Sequence, residues 1–498
     1  MDTEKVLNQL PRLTIDENPE LTKSLTTALF LVTPQLAHLF EPGHNFHAAA
    51  MSNIFPSQID GVQRRSIVAV VDALPAIAFF ARAKPEISGY EGLGVCVSNH
   101  FTTQEENMKI NNTPVITLSS TNAGPNLGDA SLLVRWKALT ANTLFVNGRP
   151  HTMFEQHWLE SDDKSYAEHM NRRHLSSLEI PIYAKRHGRQ SKGLPAHMYT
   201  KVDRLTKPAA IVTSMGNIIR QIKTESGNLI AASHELERII PPLAKSKHEK
   251  YPSMELRVFA LVYPSELANR DRKPFSDKIF NEPNGGLNLG SLQALLVRGA
   301  RLYRVTSGGA GWGNKAGLLS LEPTTELNSQ DDTSNVFEPS FDFQADSIRM
   351  PGSADLFPPG HMVQFVASWH ETNGEHKEAL TIADLPRHTK WLRSSYFEGT
   401  KSQSLCVGTT IIPEPTEDQS RYTEAEQKVD QVFCPNRFGF LTASSMSLST
   451  ELLSEYPDIH EKGSPHSTLI EVPNSSFIAT SPASGEETEL SDIGEDEI

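Results

Sequence analysis

A chain of 498 residues with 38% apolar and 21% charged residues has room for about two or three globular domains, and its net charge of -14 disfavours nonspecific nucleic-acid binding by the chain as a whole. Cys96, Cys406 and Cys434 form no CxxC pair and no disulfide framework, which points to a reducing compartment. The opening Met1-Asp2-Thr3-Glu4-Lys5 has neither the apolar core of a signal peptide nor the arginines of a transit peptide. The expectation is a soluble intracellular protein, cytoplasmic or nuclear, and mitochondrial only if a targeting segment precedes this start. Ala28 to Val32 is too short to span a bilayer, so no membrane partner is expected.

Residues 1–60 are expected to be a helical segment. Over 17–40, Leu21, Leu25, Ala28, Leu29 and Leu36 keep helical spacing, with Pro34 as a kink. His44 and His47 follow in a Pro-Gly turn. An H-x-x-H pair with no supporting cysteine or carboxylate reads as two surface histidines.

From Ser66 the texture changes to strands, giving a first mixed α/β lobe over 61–170. Ile67-Val68-Ala69-Val70-Val71 is a continuous apolar run, as in a strand buried on both faces. Gly92 to Val97, Val115 to Leu118, Leu132 to Trp136 and Thr143 to Val146 follow as further strands, the last closed by an Asn147-Gly148 turn. His151, Glu155 and His157 beyond it either cluster at a site or merely flank the turn.

Residues 171–207 read as a basic connecting segment. Between 172 and 207 stand nine lysines and arginines against Glu179 and Asp203, a local balance of 9 minus 2, or +7. Lys185, Arg186 and Arg189 lie where apolar periodicity is absent, and form a candidate polyanion site in a loop, with RNA as the corresponding partner. Only Tyr183 and Tyr199 are at hand for base stacking.

A second α/β lobe is expected over 208–325. Ala209 to Thr213 is a strand ending in Ser214-Met215-Gly216-Asn217, which suits either a sheet turn or a second phosphate-binding turn. Ser233 reads as the N-cap of a helix with Leu236, Ile239, Ile240 and Leu243 inward, ended or distorted early by Pro241-Pro242. Leu256 to Val262 is a strand. Leu287 to Val297 reads as a helix with Gly299 at its C′ position, and Leu302 to Thr306 as a short strand.

That strand leads into Ser307-Gly308-Gly309-Ala310-Gly311-Trp312-Gly313-Asn314-Lys315-Ala316-Gly317. Glycine lets a backbone approach a ligand closely, and successive free N–H groups form an anion nest. The candidate anion site is therefore Gly308, Gly309, Gly311, Trp312, Gly313 and Lys315. The match to a Walker loop fails, because Asn314 separates Gly313 from Lys315 and Ala316 follows. The alternative is a tight turn between two strands with Trp312 packed as its lid.

The run Arg301 to Pro323 resembles a motif of the form YxVTSGGxGWGxKxGLLSLxP, found in an uncharacterised family of fungal proteins. Ala141 to Arg149 and Ser214 to Gln221 are similar to other parts of that family. The resemblance covers a small share of the chain and implies no activity and no catalytic residues.

An acidic loop is expected over 326–360 and a strand-rich continuation of the second lobe over 361–473. Within it, His370 to His376 lacks HExxH spacing and its Asn-Gly implies a turn. The tail, 474–498, is expected to be disordered: seven carboxylates and no basic residue lie between Glu486 and Ile498. The fold class expected is α/β or α+β, with mixed sheets in two lobes. No catalytic order, metal motif or cofactor is indicated. The function ranked first is a binding or assembly protein holding a small phosphorylated ligand at the glycine-rich loop. A phosphate- or nucleotide-handling enzyme and an RNA-associated protein are the alternatives.

Overall fold

The computed structural model describes residues 3–10, 26–55, 63–75, 89–105, 113–122, 131–160, 166–168, 172–183, 194–199, 202–250, 254–265, 296, 299–308, 317–322, 357–371, 404–412, 432–435, 437–442, 446–453, 466–470 and 475–480. Both helices and strands occur, as expected, but the molecule is mostly β. The described apolar runs are short, and they find strand partners far along the chain.

The larger sheet is built outward from Thr27–Val32, whose residues are all buried. It runs parallel to Arg64–Val70 and antiparallel to Gly89–Ser98. The helix expected over 17–40 is thus corrected. Its described part is this strand, followed by a 3-10 turn at Pro34–Phe40. An apolar run such as Ala-Leu-Phe-Leu-Val has no period of its own, so pairing with two distant strands decides its conformation.

Beyond Arg64–Val70 the ladder continues through Met153–Glu160, Arg173–Tyr183, Val115–Asn122, Ser131–Leu139, Met446–Leu453 and His466–Ile470. On the other side Ser404–Ile412 pairs with Gly89–Ser98, and Val432–Pro435 with Ser404–Ile412. The described strands after residue 404 therefore join the first sheet. Of the continuation expected over 361–473, only Met362–Glu371 belongs to the second sheet.

One face of the large sheet is covered by Thr3–Gln9, the Pro34–Phe40 turn and the helix Phe46–Ile54. Val6, Phe40, Met51 and Ile54 pack there against Phe30, Val68, Val95, Phe154 and Trp158.

The second sheet closes on itself. Ala209–Met215 pairs with Ile218–Lys223, and that strand with Leu319–Leu321. Leu319–Leu321 pairs with Arg301–Gly308, Arg301–Gly308 with Met254–Tyr263, and Met254–Tyr263 with Met362–Glu371. Met362–Glu371 returns to Ala209–Met215, so six antiparallel strands close into a barrel, and the short strands Asp203–Arg204 and Leu229–Ala231 pair with it outside that ring. Ile211, Ile219, Ala260, Val262, Tyr303, Leu319, Leu321, Val363 and Phe365 form its apolar filling.

Three of the described barrel strands serve both layers: on Arg301–Gly308, Tyr303 belongs to the barrel core and Leu302 to the core of the large sheet. On Met254–Tyr263 and Met362–Glu371, Ala260, Val262, Val363 and Phe365 belong to the barrel core. The alternate residues Phe259, Leu261, Tyr263 and Val366 join Leu29, Ile67, Ile116 and Leu178 in the core of the large sheet. Burial on both faces explains the unbroken apolar run Val258 to Val262. The layers are also tied by Thr468, whose hydroxyl accepts from the Leu302 N–H at 2.7 Å and donates to the Leu302 carbonyl at 2.8 Å.

The helix His234–Lys250 follows Ser233 and runs through Pro241 and Pro242, which were expected to cut it short. The two prolines leave the carbonyls of Glu237 and Arg238 without helical donors. Both are exposed residues, where water is at hand. Gly299 keeps the positive φ expected of it, 96°, and its N–H donates to the Leu296 carbonyl at 3.0 Å. The rest of 287–297 lies outside the described residues. So do most of the acidic loop and the end of the tail, 481–498. The start of the tail is corrected: Ser475–Thr480 is not disordered but a strand of the large sheet, paired with Arg437–Thr442 and Leu194–Tyr199.

Candidate functional site

At one end of the barrel lies a cleft of about 410 Å³. Its floor includes Ala209, Ile222 and Phe365, all buried, and its rim includes Lys207, Glu225, Glu235 and Arg238. The Lys207 ammonium stands 2.8 Å from Glu225, and the Arg238 guanidinium 3.2 Å from Glu235. Thr206, Thr224 and Ser226 join these four charged side chains, so the lining is largely polar around a small apolar floor.

The described ends of the glycine-rich loop arrive beside this cleft. Gly308 ends one barrel strand opposite Leu319, which begins the next strand after the loop. Gly317 sits against Ala231, and its carbonyl meets the N–H of Ser233 at 3.5 Å. Ser233 immediately precedes the helix, and its carbonyl accepts from the Glu237 N–H at 2.9 Å, the position expected of an N-cap, while its hydroxyl donates to the Glu237 carboxylate at 2.7 Å. The cleft opens on Glu235, Arg238 and Ile239 of the same helix start. Loop and cleft thus share one turn of helix. Gly309, Gly311, Trp312, Gly313 and Lys315 themselves lie outside the described residues.

Gly317 has φ +83°, and a Cβ there would stand 2.8 Å from the Ala231 Cβ. Gly317→Ala is therefore expected to lower stability by about 2 kcal/mol or more, since left-handed backbone and clash act together. Ala231→Gly in the same chain should recover only part of the loss, because it removes the clash and leaves the φ. Denaturant midpoints of parent, single and double variants check this.

A second constellation lies on the large sheet. Register places Arg173 opposite Glu155, and Arg65 opposite His157. Glu155 and His157, two apart on one strand, face the same side. The Glu155 carboxylate is 1% exposed. Its Oε1 accepts from His157 Nε2 at 3.0 Å and from Arg173 at 2.6 Å. Its Oε2 accepts from Thr103 at 2.8 Å and lies 3.5 Å from Arg65. Burial raises the carboxyl pKa, but the Thr103 hydroxyl, the Arg65 charge, the His157 hydrogen bond and Arg173 outweigh it and hold the pKa below the ordinary value. Both oxygens are occupied by donors from other strands, so this carboxylate clamps the sheet. His151 does not join it: its ring contacts the Ala141 carbonyl at 3.1 Å and Thr113 at 3.2 Å.

The remaining sequence candidates resolve as follows. Gly216, at φ 56°, and Asn217 form the hairpin turn between Met215 and Ile218, and Asn217 donates to the Leu321 carbonyl at 2.9 Å. That turn is part of the barrel wall. Lys185, Arg186 and Arg189 lie outside the described residues. His44 is exposed as expected, but His47 is corrected to a buried residue, 2% exposed, inside the apolar stripe of its helix. Cys96 is buried, and its Cα register partner is Cys406, a pairing invisible in sequence. Among the described residues, no group of three or more His, Cys, Asp or Glu is placed to hold a metal ion. No described helix is long and apolar enough to cross a membrane.

Comparison with protein-family models, with curated proteins and with solved structures finds no match to this chain.

Proposed function

We propose that the chain is a binding or assembly protein that holds a small phosphate-bearing ligand where the glycine-rich loop meets the barrel cleft. The observation carrying this reading is the shared turn: Gly317 rests on Ala231 and Ser233, while the cleft opens on Glu235 and Arg238 of the helix that follows. Binding loops work best when rigid elements hold both their ends, and here a closed barrel does so. A glycine-dense backbone supplies N–H groups to an anion, Lys315 supplies a charge, and the cleft floor takes the apolar body of the ligand. Lys207 and Arg238 already face Glu225 and Glu235, but Lys207 is 79% and Arg238 65% exposed. Exposed pairs are weak, so an incoming anion exchanges with these carboxylates at little cost.

The test is the melting temperature of parent and Lys315→Ala with inorganic phosphate, sulfate and a panel of nucleotides. A ligand at a hundredfold its dissociation constant stabilises the parent by about 2.7 kcal/mol. Lys315→Ala should melt like the free parent and lose the ligand shift, and Lys207→Gln should weaken it. If none of these ligands shifts the parent at millimolar concentration, the site is a turn and not an anion cradle.

A further inference from the structure

The ladder between Gly89–Ser98 and Ser404–Ile412 sets Cys406 directly opposite Cys96. These are two of the chain's three cysteines, and they stand far apart in sequence. Directly opposed residues of an antiparallel pair share a face of the sheet. Their Cα atoms are about 4.5 Å or about 5.5 Å apart, depending on whether the pair is hydrogen-bonded. Both separations fall inside the span that a disulfide accepts, about 4.4–6.8 Å. The register therefore brings the two backbone positions to bonding distance with no shift of either strand. The third cysteine, Cys434, stands opposite Thr409 in the next ladder.

The surroundings decide how such a bond behaves. Cys96 is wholly buried, in the core where Leu29 and Ile67 of the large sheet meet Phe259 and Leu261 of the barrel. A thiol in apolar surroundings reacts slowly, because the attacking thiolate is disfavoured there. The ladder has an irregularity beside the pair: its register slips between Cys406 and Gly408, so Val407 has no opposite residue. A bulge leaves its extra residue unpaired and disrupts the ladder locally. The weak point of the ladder thus adjoins the two cysteines, where a local opening admits a small oxidant. Ser404–Ile412 also carries Val432–Pro435 on its other edge. A bond at Cys406 fastens both strands to Gly89–Ser98. It closes a loop spanning most of the chain, and long loops confine the unfolded state most.

We propose that Cys96 and Cys406 form a cross-strand disulfide that is made and broken with the redox poise of the surroundings. The oxidant is a small disulfide such as oxidised glutathione. One protein thiolate attacks it, releases one reduced glutathione and leaves a mixed disulfide. The second thiolate attacks the protein sulfur of that mixed disulfide and releases the second glutathione. The two protein thiols lose two electrons and two protons, and the glutathione disulfide becomes two thiols. In a reducing compartment, to which the cysteine usage points, the dithiol is the resting form and the bond marks an oxidative shift.

The test is peptide mapping of the full chain, equilibrated in glutathione buffers from reduced to oxidised and then alkylated. As the oxidised share rises, the peptides holding Cys96 and Cys406 should appear as one linked species, with Cys434 outside the link. The oxidised parent should melt about 5 °C above the reduced parent, and dithiothreitol should abolish the difference. Cys434→Ser should keep both the link and the shift. Cys96→Ala and Cys406→Ala should each melt at one temperature in both buffers, whatever the substitution itself costs. Separate Cys96 and Cys406 peptides at equilibrium in the oxidised buffer overturn the proposal. So does a link from either residue to Cys434, or a parent that melts alike in both buffers.

Discussion

Glu155→Ala is expected to lower stability at neutral pH by about 1–3 kcal/mol, because it removes the buried acceptor shared by Arg65, Thr103, His157 and Arg173, whose own side chains are only partly buried. Arg65 is 22% exposed and stays in place through Thr27, at 3.1 Å, and the Phe101 carbonyl, at 3.0 Å. It cannot follow its lost partner into water. Glu155→Gln should restore little. Each carboxylate oxygen faces two donors, so either orientation of the amide sets its own N–H groups against two of them. Glu235→Gln is the control, since it breaks an ion pair whose arginine is 65% exposed and should cost 1 kcal/mol or less by the usual value of such pairs, about 0–1 kcal/mol. The acid dependence carries a definite sign. The folded pKa of Glu155 lies below its ordinary value of 4.5. Near and below that value the unfolded chain takes up a proton while the folded chain still refuses it. The clamp therefore contributes fully above about pH 4.5 and fades as pH falls through the depressed folded value. Denaturant unfolding of parent and Glu155→Ala at pH 7 and below 4.5 should show the gap between them narrowing in acid. A constant gap means that the charge is not what the site supplies.

How much of this was legible in sequence depends on whether the deciding interaction is local. Ile67 to Val71 announces a strand buried on both faces, and it is one: Ile67, Ala69 and Val71 lie in one core and Val68 in the other. Leu256 to Val262 announces a strand, and its residues divide between the large-sheet and barrel cores. Ser233 announces its helix through its own hydroxyl. Thr27–Val32 was misread because its identity is fixed by residues 64–70 and 89–98, and a fully apolar run looks the same in either conformation. At 143–148, the Asn-Gly pair did mark a turn, but the residues before it, expected as a strand, form a single helical turn, with the Thr143 hydroxyl held 2.8 Å from that of Thr152. Of the Glu155 clamp, only the Glu-x-His spacing on one strand was visible; Arg65, Thr103 and Arg173 come from three other strands. His47 had a readable signal that was missed. His47, Ala50, Met51 and Ile54 stand at i, i+3, i+4 and i+7, the spacing of a buried stripe.

That histidine governs the second large expected effect, the loss of stability between pH 6.5 and about 3. His47 lies among aromatic rings, with centroids 4.6 Å from Trp158, 5.0 Å from Phe40 and 5.5 Å from Phe30. Neither ring nitrogen has a hydrogen-bond partner. Burial, helped by the charge of Arg172, lowers its pKa from 6.5 to about 3. The neutral imidazole is thus the folded form, and the unfolded chain gains a proton first as the medium is acidified. Each pH unit within the window favours unfolding by up to about 1.4 kcal/mol, or about 5 kcal/mol across it. From pH 6.5 to 4.5 this slope is separable from that of Glu155, which begins lower. His47→Phe should remove its share of the slope. At pH 7 the variant should be as stable as the parent or about 1 kcal/mol more stable, since it replaces two unpaired buried nitrogens with carbon in a ring-lined site. The check is denaturant unfolding of parent and variant at pH 7, 6, 5 and 4.5, with their difference plotted against pH. An unchanged slope, or a variant destabilised at pH 7, means that the His47 nitrogens have a partner in solution and the imidazole is held rather than merely enclosed.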